Sequence, residues 1–183
     1  GVHEGCIALK SRITYQSLQE VIDWVVGAGR SPLFLMLDGI TDVRNIGGIA
    51  RTAYCTGVDA IIIPDKGVGA LQEDAMLTSA GALEKIAICR VDSLFKAVDT
   101  LHLNGVQVYA TQMKGGTSLK DANFVEPCCI ILGSEDKGIY PALLKGADAT
   151  VYIPMQGDFD SLNVSVSTGI ILFEAMNQRM AKK

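Results

Sequence analysis

Short apolar runs alternate along this chain with longer segments in which apolar residues recur every three or four positions. Runs of the first kind are typical of buried strands, and segments of the second kind are typical of helices with one buried face. The predicted strands are residues 33–37, 60–63, 86–89, 106–110, 128–132 and 150–153. The predicted helices are residues 15–26, 46–56, 92–103, a turn or two at 139–144, and a long C-terminal segment. For residues 67–84 the sequence predicts a loop and a short helix.

This alternation predicts an α/β fold. Because most of the strand runs are apolar throughout rather than at every second position, both faces of the sheet should be covered. We therefore expect a parallel sheet flanked by helices on both faces. Ligands of such sheets bind at the carboxyl ends of the strands. The loops to inspect follow Leu37, Ala110, Leu132 and Ile153.

The C-terminal segment combines a polar start with a long apolar pattern, as D-F-D-S-L-N-V-S-V-S-T-G-I-I-L over residues 158–172. Asp160 or Ser161 is the expected N-cap of its helix. Hydroxyl and amide side chains at a helix start can bind a polar ligand, although an ordinary polar helix start has the same composition. The expected buried face consists of Leu162, Val166, Ile170, Phe173, Met176 and Met180.

Composition narrows the class of protein. The 183 residues are 49% hydrophobic and 20% charged, which suits one globular domain. A net charge of −4 argues against a protein that coats nucleic acid by bulk electrostatics. Five cysteines without a C-x-x-C pair predict neither disulfides nor a zinc site, and therefore a reducing, cytoplasmic location. Two histidines are too few for a histidine metal site, and no apolar run is long enough to span a membrane.

Two strand-end loops carry candidate chemistry. After Leu37 the sequence lacks the G-x-G-x-x-G and G-x-x-x-x-G-K-[ST] phosphate-binding patterns, but it places Asn45 and Arg51 at the start of a helix. After Leu132, Gly133 allows a close backbone approach, and Glu135 follows the strand end. Taken singly, Asn45 and Arg51 are better explained as a loop amide and a solvent-facing arginine, whereas the turn with Glu135 is equally compatible with an ordinary charged turn.

Taken together, three stretches resemble the three sequence motifs of the SpoU (TrmH) branch of the SPOUT RNA methyltransferases. They are N-I-G-G-I-A-R-T-A at residues 45–53, I-L-G-S-E-D-K-G-I at 131–139, and I-P-M-Q-G-D-F-D-S-L-N-V-S-V-S at 153–167. Their order and spacing also agree with that family, and the similarity extends from about Leu33 to the C-terminus. Three ordered motifs on one chain are far more specific than any one of them.

The resemblance implies transfer of a methyl group from S-adenosylmethionine to a ribose 2′-hydroxyl of RNA. It also implies an α/β-knot fold with a deep C-terminal trefoil knot, which general topology rules would not suggest. The matched positions that it assigns to cofactor binding are Gly133, Ile153 and Leu162, with Thr111 and Met155 nearby. Those that it assigns to catalysis are Asn45, Arg51, Glu135, Ser161 and Asn163.

The resemblance makes Arg51 the candidate for removing the hydroxyl proton. A guanidinium does not ordinarily give up its own proton near neutral pH, so it is a poor base. Arg51 could instead stabilise the developing alkoxide or bind an RNA phosphate with two hydrogen bonds. Glu135 could orient Arg51 or the motif loops. Members of the family are dimers with sites at the subunit interface, so a homodimer is expected.

The family also shapes the expected domain organisation. Residues 1–12 are expected to be a linker from an N-terminal RNA-binding domain outside this chain, and residues 13–183 to be the methyltransferase domain. The tRNA-directed branch carries basic terminal extensions, of which Arg179, Lys182 and Lys183 are a weak version, so rRNA is the expected substrate. The alternatives are a tRNA ribose methyltransferase and a non-catalytic RNA-binding protein of the same fold. A flavodoxin-like cofactor binder is the alternative from the fold alone.

Overall fold

The chain folds as an alternation of strands and helices. The computed structural model describes residues 13–66 and 79–182. The helices are α1 (Leu18–Gly27), α2 (Val43–Cys55), α3 (Ala82–Lys85), α4 (Leu94–Leu103), α5 (Pro141–Gly146) and α6 (Val164–Ala181). The strands are β1 (Leu33–Asp38), β2 (Ala60–Pro64), β3 (Ala87–Val91), β4 (Gln107–Thr111), β5 (Thr117–Ser118), β6 (Cys128–Gly133) and β7 (Ala149–Tyr152). Each of the six predicted strands is present, with ends shifted by at most two residues.

Within residues 13–66 and 79–182, the strands form one seven-stranded sheet of order β3-β2-β1-β6-β4-β7-β5, in which all neighbouring strands are parallel. The middle pair, β1 and β6, is in register from Leu33 opposite Cys128 to Asp38 opposite Gly133. The carboxyl ends of β1, β6, β4 and β7 therefore lie side by side at one edge. These are the four strand ends from which the sequence predicts ligand-binding loops.

Both faces of the sheet are buried, which confirms the prediction from the apolar runs. In β1, Leu35 belongs to the core beneath α2 and α6, whereas the adjacent Met36 belongs to the core beneath α1 and α4. Side chains alternate between the two faces of a strand, so a strand covered on both sides needs apolar residues at every position.

The connection from β4 to β5 wraps closely around β7. Thr111 at the end of β4 and Thr117 at the start of β5 both pair with Val151, from opposite sides. Gly116 in this connection lies so close to β7 that an added Cβ would be 2.7 Å from the carbonyl oxygen of Thr150. A glycine is therefore needed where the two segments cross. The sequence did not predict β5, nor the 3-10 turn Leu119–Asp121 that follows it.

The terminal helix begins later than predicted. Its N-cap is Asn163, whose Oδ1 accepts from the backbone N–H of Ser165 at 2.9 Å, so the expected caps Asp160 and Ser161 are wrong. Both of those residues lie in the loop that enters the helix. Asn163 is preferred as the cap because its amide nitrogen also donates to Glu135, in the turn after β6.

The predicted buried face of α6 is also wrong. Phe173 and Met180 are 60% and 62% exposed, and Val166 and Ile170 of the same stripe are exposed as well. The buried positions are Val164, Thr168, Ile171, Leu172 and Ala175. Apolar residues occur on two sides of this helix, so spacing alone does not decide which side packs. Small side chains at 168 and 175 favour the observed side because they allow the helix to approach the core closely.

Arg179 has a structural role rather than the solvent-facing one expected of a basic extension. Its guanidinium donates to the carbonyl oxygens of Phe124 at 2.7 Å and Pro32 at 3.0 Å, and also to those of Ser31 and Glu126. These bonds fasten the end of α6 to the start of β1 and to the loop before β6. Lys182 forms an exposed ion pair with Glu126.

Several predictions fall partly or wholly outside the described residues. They are the linker at residues 1–12, residues 67–78 of the predicted loop and short helix, and Lys183. The helix α3 is short, as expected for the described part of residues 67–84. The helix α1 begins at Leu18 rather than Tyr15, because Tyr15 is extended and bridges to Ile88.

In the described part of the chain, every helix is too short or too polar to span a bilayer.

Candidate active site

The first segment of the site is the start of α2, directly beyond β1. Asp42 caps this helix, because its side chain accepts from the backbone N–H of Arg44 at 2.8 Å. The cap fixes the first turn and places Asn45 half-buried on the side that faces α6. One turn later, Gly48 lies against Ser165, and an added Cβ would be 3.3 Å from the Ser165 hydroxyl. The glycine therefore allows α2 and α6 to approach each other.

The second segment is the tight turn after β6. Gly133 lies so close to the returning chain that an added Cβ would be 2.3 Å from the carbonyl carbon of Gly138 and 2.4 Å from the nitrogen of Ile139. Gly138 has φ +66° and donates its backbone N–H to the carbonyl oxygen of Ser134 at 2.8 Å. The turn is therefore closed at both ends, and Glu135 projects from it.

The third segment is the start of α6, and it joins the other two. Asn163 donates its side-chain N–H groups to Oε1 of Glu135 at 2.9 Å and to Oδ1 of Asn45 at 3.4 Å. The same Glu135 oxygen accepts from the backbone N–H of Val164 at 3.1 Å. A carboxylate thus satisfies a free N–H of the helix start. The structure therefore brings together Asn45, Glu135 and Asn163 of the predicted catalytic set.

A cleft of about 580 Å³ opens beside this network. It lies between the turn after β6, the connection after β4 and the loop before α6. Leu132, Ile139, Leu144 and Leu162 form its apolar walls. Among the residues predicted to bind cofactor, Gly133, Thr111 and Leu162 line it. Ile153 and Met155 line a smaller pocket of about 60 Å³, which shares Thr111 and Leu162 with the cleft.

Thr111 has a structural bond as well as a place in the cleft. Its hydroxyl donates to the carbonyl oxygen of Ile131 at 2.8 Å, across the β4–β6 pair. Its position at the end of β4 is therefore fixed by the neighbouring strand.

Two predicted catalytic residues lie outside the hydrogen-bond network. Ser161 lines the cleft and is exposed. Arg51 is exposed on α2, and within the described chain it makes no hydrogen bond or ion pair, so the expected link from Glu135 to Arg51 is not observed. Six residues separate Arg51 from Asn45, or about 9 Å along the helix axis. Its side chain is therefore free to meet a ligand or another molecule.

The shifted pKa values belong to one carboxyl group on the rim of the cleft and to buried thiols, including two at the start of β6. A hydrogen bond from Ser134, on the rim, holds the pKa of the exposed Asp136 carboxyl below its usual range. Burial raises the pKa of Cys128 to about 11 and that of Cys129 well above its usual value, so neither thiol of β6 is a nucleophile. The described residues contain no group of three or more histidine, cysteine, aspartate or glutamate side chains able to hold a metal ion.

Sequence reasoning did not assign a role to Ser165. Its hydroxyl lies 3.1 Å from Oδ1 of Asn45, and it forms part of the contact between α2 and α6. The sequence places Ser165 within the third motif, but only the fold shows which residue of the first motif it meets.

Comparison with known proteins agrees with this geometry. The sequence model of the SpoU rRNA Methylase family matches residues 32–173. The 23S rRNA (guanosine-2′-O-)-methyltransferase RlmB of Vibrio parahaemolyticus is 34% identical over 181 residues, which cover 99% of this chain and 73% of that protein. An uncharacterized tRNA/rRNA methyltransferase of Synechocystis is also 34% identical, over 97% of this chain but only 46% of its own length.

Solved structures give the same result. The SpoU methyltransferase AviRb of Streptomyces viridochromogenes, in complex with AdoMet, superposes with a TM-score of 0.82 at 25% identity, over 92% of this chain and 66% of that one. The TrmH/SpoU tRNA modifying enzyme of A. aeolicus superposes with a TM-score of 0.76 at 27% identity, over 90% and 85% of the two chains. The match of the family's sequence model covers most of the chain, and this chain therefore belongs to the SpoU rRNA methylase family.

Proposed function

We propose that this chain catalyses transfer of a methyl group from S-adenosylmethionine to a ribose 2′-hydroxyl of RNA, with rRNA as its substrate. One observation carries the proposal. The three motif segments, far apart in sequence, meet through the bonds of Asn163 to Asn45 and Glu135, beside a cleft of about 580 Å³. The names of the RlmB relatives support rRNA rather than tRNA.

The cleft suits S-adenosylmethionine, which SpoU methyltransferases use. Its volume lies within the range of about 300–1,000 Å³ found for small-molecule sites. Leu132 and Leu162 would pack against the apolar parts of the cofactor, and the backbone after Gly133 would offer its polar groups. Ile153 and Met155 would close the far end. When bound, the cofactor supplies an electrophilic methyl carbon on a sulfonium sulfur.

The protein's part in the reaction is alignment and charge stabilisation. The ribose oxygen must attack the methyl carbon in line with the leaving sulfur, so a new C–O bond forms as the C–S bond breaks and its electron pair goes to sulfur. The hydroxyl proton is released to solvent. Asn45, held by Asn163 and Glu135, positions the ribose, and Ser161 in the cleft wall contacts it. Arg51 stabilises the negative charge that develops on the ribose oxygen, because its guanidinium keeps its proton.

We also propose that the protein is a homodimer whose partner completes the site. Two observations support this. The exposed side of α6 carries Val166, Ile170, Phe173 and Met180, with one polar residue, Asn177, among them. Exposed apolar side chains clustered in this way mark an interface. Arg51 is exposed and does not belong to the cleft of its own chain. An arginine supplied across the interface would explain both.

Sedimentation equilibrium tests the dimer. Phe173→Glu places a charge in the stripe without disturbing the core, because this side chain is 60% exposed. The wild type should sediment as a dimer and the variant as a folded monomer. A wild-type monomer at micromolar concentration would contradict the proposal.

The knot is a further part of the proposal. The close wrapping of the β4–β5 connection around β7 supports a chain that leaves β7 through a loop, since Thr111 and Thr117 flank Val151 on both sides. Likeness to SpoU structures adds to this. Tracing the path of residues 111–164 in an experimental electron-density map tests it.

We further propose that residues 13–183 act as the methyltransferase domain, which the family match at 32–173 supports. We also propose a cytoplasmic location. An RNA substrate supports it, and so do the four free cysteines among the described residues, because thiols stay reduced in the cytoplasm.

Transfer of labelled methyl to unmodified rRNA and to tRNA tests the substrate. We expect label in rRNA, and after digestion of the rRNA to nucleosides we expect that label in a 2′-O-methylnucleoside. Label in tRNA instead would move the substrate to the alternative class. Cofactor binding with no transfer to either RNA would favour a non-catalytic RNA-binding protein.

A further inference from the structure

The hydrogen bonds of Asn163 can each be given a direction. A backbone N–H only donates, so the Asn163 atom 2.9 Å from the nitrogen of Ser165 is the amide oxygen. The amide nitrogen is then the atom 2.9 Å from Oε1 of Glu135, an oxygen that accepts. The two ends of the Asn163 amide are thus fixed independently, and the second N–H of its Nδ2 points to Oδ1 of Asn45 at 3.4 Å.

The same reasoning fixes Asn45. The Ser165 hydroxyl lies 3.1 Å from Oδ1 of Asn45 and 3.4 Å from the Asn45 carbonyl oxygen. Both are acceptors, so Ser165 donates its proton, and the shorter distance favours Oδ1. The side-chain oxygen of Asn45 therefore receives donors from both Asn163 and Ser165.

This leaves Nδ2 of Asn45 as the open end of the network. It makes no hydrogen bond to any described residue. It also reaches solvent. Among the described residues, Oγ of Ser118 is the one buried side-chain polar atom without a hydrogen-bond partner, so the unbonded Nδ2 of Asn45 is not buried. The NH2 group of Asn45 is therefore accessible to solvent and has no partner among the described residues, and an acceptor oxygen is the group that it fits.

We propose that Ser165 is a positioning residue for the proposed reaction: it holds the Asn45 amide so that its NH2 group donates to a ribose or phosphate oxygen of the RNA. Without the Ser165 hydroxyl, the amide can rotate by half a turn and offer its oxygen to that same acceptor. Gly48 provides the space for Ser165, since an added Cβ there would lie 3.3 Å from the hydroxyl. This inference rests on the proposed methyl transfer.

Kinetics of four variants test the role of Ser165. Asn45→Asp keeps an acceptor for Ser165 but lacks the donor, so it should lose as much kcat as Asn45→Ala. Ser165→Ala should lower kcat about tenfold, the scale of one hydrogen bond, and leave the KM for S-adenosylmethionine unchanged. In the Asn45→Ala background, Ser165→Ala should then add less than about twofold, because its effect passes through Asn45.

Ser93→Ala is the matched control. Ser93 caps α4 through a hydroxyl that accepts from the backbone N–H of Lys96 at 3.3 Å. Its replacement therefore also removes a serine hydroxyl bond at the start of a helix, but outside the network. Wild-type kcat in this variant is expected. Two results would overturn the inference and leave the proposed function intact. One is that Ser165→Ala lowers kcat by the same factor in the wild-type and Asn45→Ala backgrounds, and the other is that Asn45→Asp is active.

A second measurement needs no turnover. In 15N NMR spectra, the side-chain NH2 of Asn45 should have a high heteronuclear NOE in the wild type and a reduced one in Ser165→Ala. An equally ordered amide in both proteins would overturn the positioning role. A wild type that transfers no methyl, but shows this difference, would instead count against the proposed function.

Discussion

Replacing Gly133 by alanine should damage both the fold and the cleft. The added Cβ would lie 2.3 Å from the carbonyl carbon and 2.7 Å from the carbonyl oxygen of Gly138, and 2.4 Å from the nitrogen of Ile139. Carbon atoms pack at about 3.5–4.0 Å, so the turn would have to move by more than about 1 Å. All three contacts are with backbone, and no side-chain rotation can relieve them.

The size of the effect follows from this geometry. Inserting a methyl group into a packed interior costs about 1–3 kcal/mol, and a backbone collision belongs at the upper end of that range. The turn also carries Glu135, and Ile139 lies in the wall of the cleft. We therefore expect Gly133→Ala to lower the free energy of unfolding by about 3 kcal/mol and to weaken S-adenosylmethionine binding at least about tenfold.

Urea unfolding and isothermal titration calorimetry measure the two effects. Gly27→Ala is the control, because an added Cβ at this residue of α1 meets nothing within 4 Å. It should leave the affinity for S-adenosylmethionine unchanged and raise the free energy of unfolding by at most about 1 kcal/mol, because alanine favours a helix more than glycine does. Unfolding free energy and cofactor affinity at wild-type values in Gly133→Ala would refute the steric argument. A loss of stability with unchanged affinity would show that the cofactor binds elsewhere.

Two further predictions concern the scaffold. Arg179→Lys should lower the free energy of unfolding by about 2 kcal/mol, because an ammonium group cannot replace a planar guanidinium that donates to several carbonyl oxygens at once. Lys182→Ala removes an exposed ion pair and should change the free energy of unfolding by less than about 0.5 kcal/mol. Thermal unfolding compares the two, and equal shifts would contradict the structural role of Arg179. Iodoacetamide at pH 8 should alkylate the exposed Cys55 but not Cys89 or Cys128, since burial raises the pKa of those thiols to about 12 and 11 and leaves little thiolate. Peptide mapping by mass spectrometry checks this, and rapid alkylation of Cys128 in the native protein would contradict the buried position of β6.

The architecture was predictable because its signals are local. Residues 33–37 and 128–132 are apolar throughout, and the structure shows them paired at the middle of a sheet that is covered on both faces. A parallel sheet gathers the carboxyl ends of its strands at one edge, which is why the sequence pointed to the loops that carry Asn45 and Glu135. In the structure these two loops are linked through Asn163.

The errors arise where tertiary contacts outweigh local pattern. Asp160 and Ser161 are good N-caps by residue type, but Asn163 takes that position because Glu135 binds its amide nitrogen from across the fold. The face of α6 that contains Phe173 has helical spacing, yet the opposite face packs. Ser165 and Gly116 depend on partners that only the folded chain brings within reach.

The most direct test of the account is the chemical identity of the product. Wild type and Arg51→Ala would be incubated with rRNA and methyl-labelled S-adenosylmethionine, and the RNA would be digested to nucleosides. The account predicts label in a 2′-O-methylnucleoside with the wild type, and loss of at least about a hundredfold in rate with Arg51→Ala, at unchanged cofactor affinity. Label on a base, or full activity in Arg51→Ala, would contradict it.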